Sequence, residues 1–158
     1  MASKKLTLTD IKNENKIYEQ KKRVELSDNY HVFIYPNFSP VKIKDLIKEL
    51  VNDPQRATDA GLNFDNINMG DWFLFNVIYK FSDLGIPSEI KKKIQAFTYL
   101  MDSAYYEQII NAFPQESLKK INDAFLRFKE NLDLLMKENG IVNDKVIDGL
   151  LEKENNLQ

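Results

Sequence analysis

The sequence predicts a mainly α protein: a compact helical bundle or array with a short N-terminal β-hairpin. Three observations carry this. Apolar residues at Leu118, Ile121, Phe125, Phe128, Leu132 and Leu135 form one stripe on a helix of about five turns. Helical periodicity dominates from residue 40 onward. Ahead of it, Tyr30 to Tyr35 (Tyr-His-Val-Phe-Ile-Tyr) has the β-branched and aromatic content of a short strand.

Each element follows from local chemistry. Ile17 to Leu26 and Tyr30 to Tyr35 flank the turn-type cluster Ser27-Asp28-Asn29, which predicts a hairpin. Two strands alone are marginal, so the hairpin must lean on helices. Ser39 can cap a helix whose first residue, Pro40, needs no N–H partner. Val41, Ile43, Leu46, Ile47, Leu50 and Val51 give its apolar face, and Asp53-Pro54 is expected to end it. From Pro54 to Gly70 the glycines and asparagines favour a loop, although 55–60 admits a helical turn.

The run from Asp71 to Phe81 is apolar almost all round, as in a central, two-sided element. Strand is the rival assignment. Its length, Asp71 in the first turn and Gly85 beyond its far end favour helix. Pro87-Ser88 opens the next helix, with Ile90, Ile94, Phe97, Leu100 and Met101 on one face. Ser103 begins a short one through Ile109 and Ile110. Pro114 then starts the long helix, with Glu116 near its N-terminus and Gly140 as its stop. A weak last helix is expected from Asp144 to Glu152.

The expected organisation is a flexible polar lead (1–15), one helical domain with its hairpin (16–140), and a short C-terminal helix with a frayed tail (141–158). Links of two to five residues between the later helices favour antiparallel neighbours.

Composition excludes several classes of function. A net charge of −2 argues against a dedicated nucleic-acid binder. The runs Lys21-Lys22-Arg23 and Lys91-Lys92-Lys93 are read as solvated faces. With no cysteine there is no disulfide framework or thiolate site. No apolar run approaches the roughly 20 residues that span a bilayer, and the N-terminus has no apolar h-region of a secretory signal.

Candidate chemistry is sparse. His31, the single imidazole, alternates with Phe33 and Tyr35 on a strand and has no Gly-x-Ser-x-Gly partner in the sequence. The pairs Asp102/Glu107 and Asp144/Asp148, and the run Asp65 to Asn68, lack the spacing of a calcium loop. The aromatics of 72–81 are interrupted only by Lys80, unlike the Arg/Lys-interleaved platforms that stack bases. No catalytic, cofactor-binding or metal-binding residue is predicted, and no cofactor, nucleic acid or membrane partner. Trp72, Tyr105, Phe125, Phe128, Leu132 and Leu135 are the candidate core or protein-interface anchors. The long stripe is either the core face of its helix or in part a contact with another chain.

Four stretches carry a resemblance. They are the polar lead followed by Lys22-Arg23-Val24-Glu25-Leu26 and a short strand, then Phe38-Ser39-Pro40-Val41-Lys42-Ile43 opening the first long helix. The aromatic segment Trp72 to Leu84 follows, and Phe113-Pro114-Gln115-Glu116-Ser117 opens the last long helix. In pattern and order, over roughly 15–140, the chain resembles the tail-assembly chaperones of long-tailed bacteriophages and prophages of Gram-positive bacteria. The resemblance implies a helical, non-enzymatic protein of the bacterial host cytoplasm, not secreted. It would bind and solubilise the tape-measure protein and hand it to tail-tube protein subunits, working as a homo-oligomer. The alternative is a small helical regulatory or inhibitory adaptor that docks on a host or phage enzyme.

Overall fold

The computed structural model describes residues 2–139. In chain order these form α1 (Leu8–Glu14), β1 (Lys22–Glu25), β2 (His31–Ile34), α2 (Pro40–Asp59), α3 (Met69–Phe81), α4 (Ile90–Met101), α5 (Tyr105–Ile110) and α6 (Gln115–Asn139). The mainly α class with an N-terminal hairpin agrees with the sequence pattern. The helix expected over 144–152 and the Gly140 stop lie outside the described residues.

The polar lead carries an element that apolar periodicity does not reveal. Thr7 accepts from Asp10 N (3.2 Å), and Asp10 returns the bond by accepting from Thr7 N (3.0 Å). This capping box starts α1, although the helix buries none of its residues. A 3₁₀ turn over Asn15–Glu19 follows and takes up Ile17, so β1 is shorter than its pattern predicts.

The strands pair antiparallel, from Lys22 with Ile34 to Glu25 with His31. Asp28 and Asn29 in the turn have φ of 59° and 62°, a left-handed region that short polar side chains tolerate. Val32 and Ile34 point into the core, and His31 faces out. The hairpin does lean on helices. Ile34 bridges to Ser82 just past α3, Tyr35 N donates to Phe81 O (2.8 Å), and Asp83 N to Phe33 O (3.0 Å). At the other end Gln108 of α5 clasps the turn, accepting from Ser27 N (3.0 Å) and donating to Ser27 Oγ (3.1 Å).

Helix α3 is the centre of the core. Trp72, Phe75, Val77, Ile78 and Phe81 are fully buried, as the unbroken apolar run requires. Phe38 stacks on Phe81 with ring centroids 3.9 Å apart and meets Phe113 edge-on at 5.5 Å. Ile43, Leu46, Ile47 and Leu50 of α2 and Ile121 and Phe125 of α6 close around it.

Two sequence expectations fail for one shared reason. Helix α2 does not stop at Asp53 but runs through Pro54 to Asp59. Lys93 does not lie on a solvated face: Lys91 and Lys92 are exposed, but Lys93 is fully buried. The two buried charges meet. Lys93 Nζ is 2.9 Å from Asp53 Oδ2, which also accepts from Trp72 Nε1 (3.2 Å), while Arg56 donates to Asp53 Oδ1 (2.8 Å). Glu49 lies between Lys80 (2.6 Å) and Lys93 (3.4 Å), and the Lys93 ammonium sits over the rings of Tyr79 (4.4 Å) and Trp72 (5.3 Å). Burial and the Glu49 charge push the Tyr79 hydroxyl pKa up, against the opposing pull of Lys80 and Arg56.

Proline inside a helix loses one backbone bond and crowds the preceding turn, at about 3 kcal/mol or more. Here the neighbouring carboxylate fastens α2 to α3 and α4, and buried Ala57 continues the packed face. Helical phase agrees with the burial of both charges. Asp53 follows Leu50 by three and precedes Ala57 by four, and Lys93 stands likewise between Ile90 and Phe97.

Removing Lys93 leaves the buried Asp53 with only the half-exposed Arg56 as counter-ion, which costs about 3 kcal/mol, the low end for a broken buried pair. Lys93→Met should lower unfolding free energy by that amount in urea denaturation. Combining it with Asp53→Asn should cost clearly less than the sum of the two single changes.

Candidate protein-binding groove

The chain between α3 and α4 shapes one wall of a surface groove. Gly85, with φ of +81°, makes the turn that carries Leu84, Ile86 and Pro87 past the hairpin. Arg56 of the buried cluster donates to Ser88 O (2.7 Å), which ties this loop to α2. Glu89, rather than Ser88, caps α4 by accepting from Lys91 N and Lys92 N, each at 3.0 Å. Those two backbone bonds hold its carboxyl pKa below the usual range.

Helix α4 supplies the floor, through Ala96 and Leu100. Ser103 Oγ donates to Leu100 O (2.7 Å) and accepts from Tyr105 N (3.2 Å), turning the chain into α5. The opposite wall is the hairpin tip, with Leu26, Tyr30 and Val32. Tyr105 joins the walls, its hydroxyl donating to Asp28 Oδ2 (3.3 Å) and its ring edge-on to Tyr30 at 5.8 Å. Burial, then the Asp28 charge, raise the Tyr105 hydroxyl pKa.

The groove so formed has a volume of about 540 Å³, and most of its lining is apolar. Two tyrosines stand at its edge largely in solvent, Tyr99 at 73% exposure and Tyr30 at 61%. Asp28 is bonded to the lining Tyr105, and Asp83 and Asp102 adjoin the lining Leu84 and Ser103 in sequence, while the stretches 26–32, 84–87 and 96–109 hold no Lys or Arg. It is therefore an apolar trough with an acidic border, suited to lodging apolar side chains flanked by cations. His31 also lines it, edge-on to Phe33 at 5.5 Å. Among the described residues no group of three or more His, Cys, Asp or Glu is placed to hold a metal ion.

The structure separates the six anchors named from sequence. Tyr105 lines the groove. Trp72 is sealed in the core and presents nothing to a partner, and Phe125 is buried in the same core cluster, edge-on to Phe73. Phe128 and Leu132 are half-buried and Leu135 is exposed along α6, so the stripe is core at its near end and open to solvent farther out. Sequence reasoning missed Tyr99 and Tyr30. The signal for Tyr99 was phase: a large ring on α4 away from the Ile90–Ile94–Phe97–Leu100 face.

Comparison with known proteins adds lineage. The YomO family profile matches residues 8–158. The chain belongs to the YomO family. The SPbeta prophage-derived protein YomO of Bacillus subtilis (strain 168) is 41% identical over 155 residues, covering 98% of this chain and 93% of the relative. That relative is prophage-derived, which agrees with the phage or prophage setting the resemblance implies. No solved structure matches. No helix among the described residues is long and apolar enough to cross a membrane.

The Glu89 cap makes α4 pH-sensitive. A carboxyl with a lowered native pKa contributes stability above the unfolded-state pKa and loses it as pH falls through the native value. The melting-temperature gap between wild type and Glu89→Gln should therefore be widest near neutral pH and close as the solution is acidified below the ordinary carboxylate range.

Proposed function

We propose that the protein is a non-enzymatic tail-assembly chaperone. It binds the tape-measure protein during tail morphogenesis in the host cytoplasm, keeps it soluble and yields it to tail-tube subunits. The observation that carries this reading is the apolar, acid-bordered groove between the hairpin tip, α4 and α5, with Tyr99 and Tyr30 at its mouth. A trough of this size accepts one face of an amphipathic helix through residues spaced three and four apart. Each aliphatic side chain it shelters gains about 1.5–3 kcal/mol. A long tape-measure rod offers many such faces, so modest contacts repeated over many copies suffice. The membership of a prophage-bearing family supports the setting.

Exposed aromatics at the mouth of a groove act as anchors, and losing one costs about 2 kcal/mol or more, roughly 30-fold in affinity. Co-expression with a tape-measure fragment from the same phage should raise the soluble fraction of that fragment. Tyr99→Asp should abolish most of this rescue without lowering the melting temperature of the protein itself. Equal fragment solubility with and without the protein would overturn the proposal, as would capture of a folded enzyme in its place.

A further inference from the structure

The N-terminal arm and the groove are complementary halves of one contact. Leu6 and Leu8 are 63% and 84% exposed, and Ile11 and Ile17 also face solvent. Leu8 and Ile11 lie three apart on one face of α1, with Leu6 just ahead of the capping box. A seven-residue helix with no buried side chain is well below the roughly 12–15 residues at which isolated helices become even marginally stable in water. Docking its apolar face on another surface is the stabilisation it lacks.

Charge and placement choose the surface. Between residues 2 and 16 Lys4 and Asp10 pair with each other, which leaves Lys5, Lys12 and Lys16 against Glu14. Beside the groove lining stand Asp28, bonded to Tyr105, and Asp83 and Asp102, next in sequence to Leu84 and Ser103, with no cation from the lining stretches. No arm residue lines the groove of its own chain. The arm leaves β1 at Lys22, opposite Ile34, whereas the groove sits at the turn end, at Leu26 and Tyr30. Asn37 Nδ2, which donates to Ile17 O (3.5 Å), keeps the 15–19 turn at the hairpin base.

We infer that the groove receives the N-terminal arm of a second copy of this chain. Leu8 and Ile11 seat between Tyr30 and Tyr99, and the arm lysines face the acidic border. The contact is heterologous, arm to groove, so each copy offers one of each. This deepens the chaperone reading, since client and arm compete for one trough, and self-association empties as client loads.

The test uses the full-length chain with Leu8→Asp in the arm and Tyr99→Asp in the groove, both at exposed positions. Sedimentation velocity should show wild type associating beyond the monomer, less so at high salt, and each variant alone as a monomer. A one-to-one mixture should recover a heterodimer, because one partner keeps an intact groove and the other an intact arm. A wild type that stays monomeric would overturn the inference, as would a Leu8→Asp chain that associates normally or a mixture that stays monomeric. Client rescue is measured separately: loss of self-association with rescue intact removes the arm–groove contact and leaves the chaperone reading standing.

Discussion

A carboxylate, an ammonium and an indole N–H meet out of solvent where α2, α3 and α4 converge, and the rest of the architecture depends on that meeting. Asp53 takes bonds from Lys93, Trp72 and Arg56, so both carboxylate oxygens are satisfied. Lys93 in turn has Asp53, Glu49 and two aromatic faces. A buried ion pair adds little net stability compared with apolar packing, but an incomplete one is costly. The cluster thus strongly disfavours any arrangement of the three helices that does not bring these groups together.

The candidate groove inherits its shape from this cluster. Arg56 reaches from Asp53 to Ser88 O and fixes the loop ahead of α4, and Glu89 then starts α4 in the right place. Helix α4 presents its buried face to Trp72 through Phe97, while Tyr99 is left toward the hairpin tip. Gln108 and Tyr105 of α5 hold that tip from the other side. The groove is a gap between elements whose positions are fixed elsewhere.

Sequence patterning revealed what depends on apolar periodicity. The central α3, the near half of the α6 stripe and the alternation of β2 are all written in spacing, and the structure places Phe75, Ile121 and Val32 accordingly. Features that depend on single polar groups were hidden. The capping box of α1 sits in a lead with little apolar pattern, and Pro54 looked like a stop because its compensation lies 40 residues away at Lys93. Lys93 itself was masked by two exposed lysines beside it. Of the groove, only Tyr105 was named in advance as an interface anchor. The others belong to three stretches, 26–32, 84–87 and 96–109, that no local window joins.

The chain belongs to a family with a prophage-derived member, and its proposed action is to cover another chain's apolar flank. The most direct measurement is photo-crosslinking in phage-producing cells, with a photoreactive residue in place of Tyr99 and, as control, in place of exposed Lys48 on α2. The account predicts adducts from position 99 to an amphipathic segment of another chain, client or second copy, well above those from position 48. Equal or absent adducts at the two positions would contradict it.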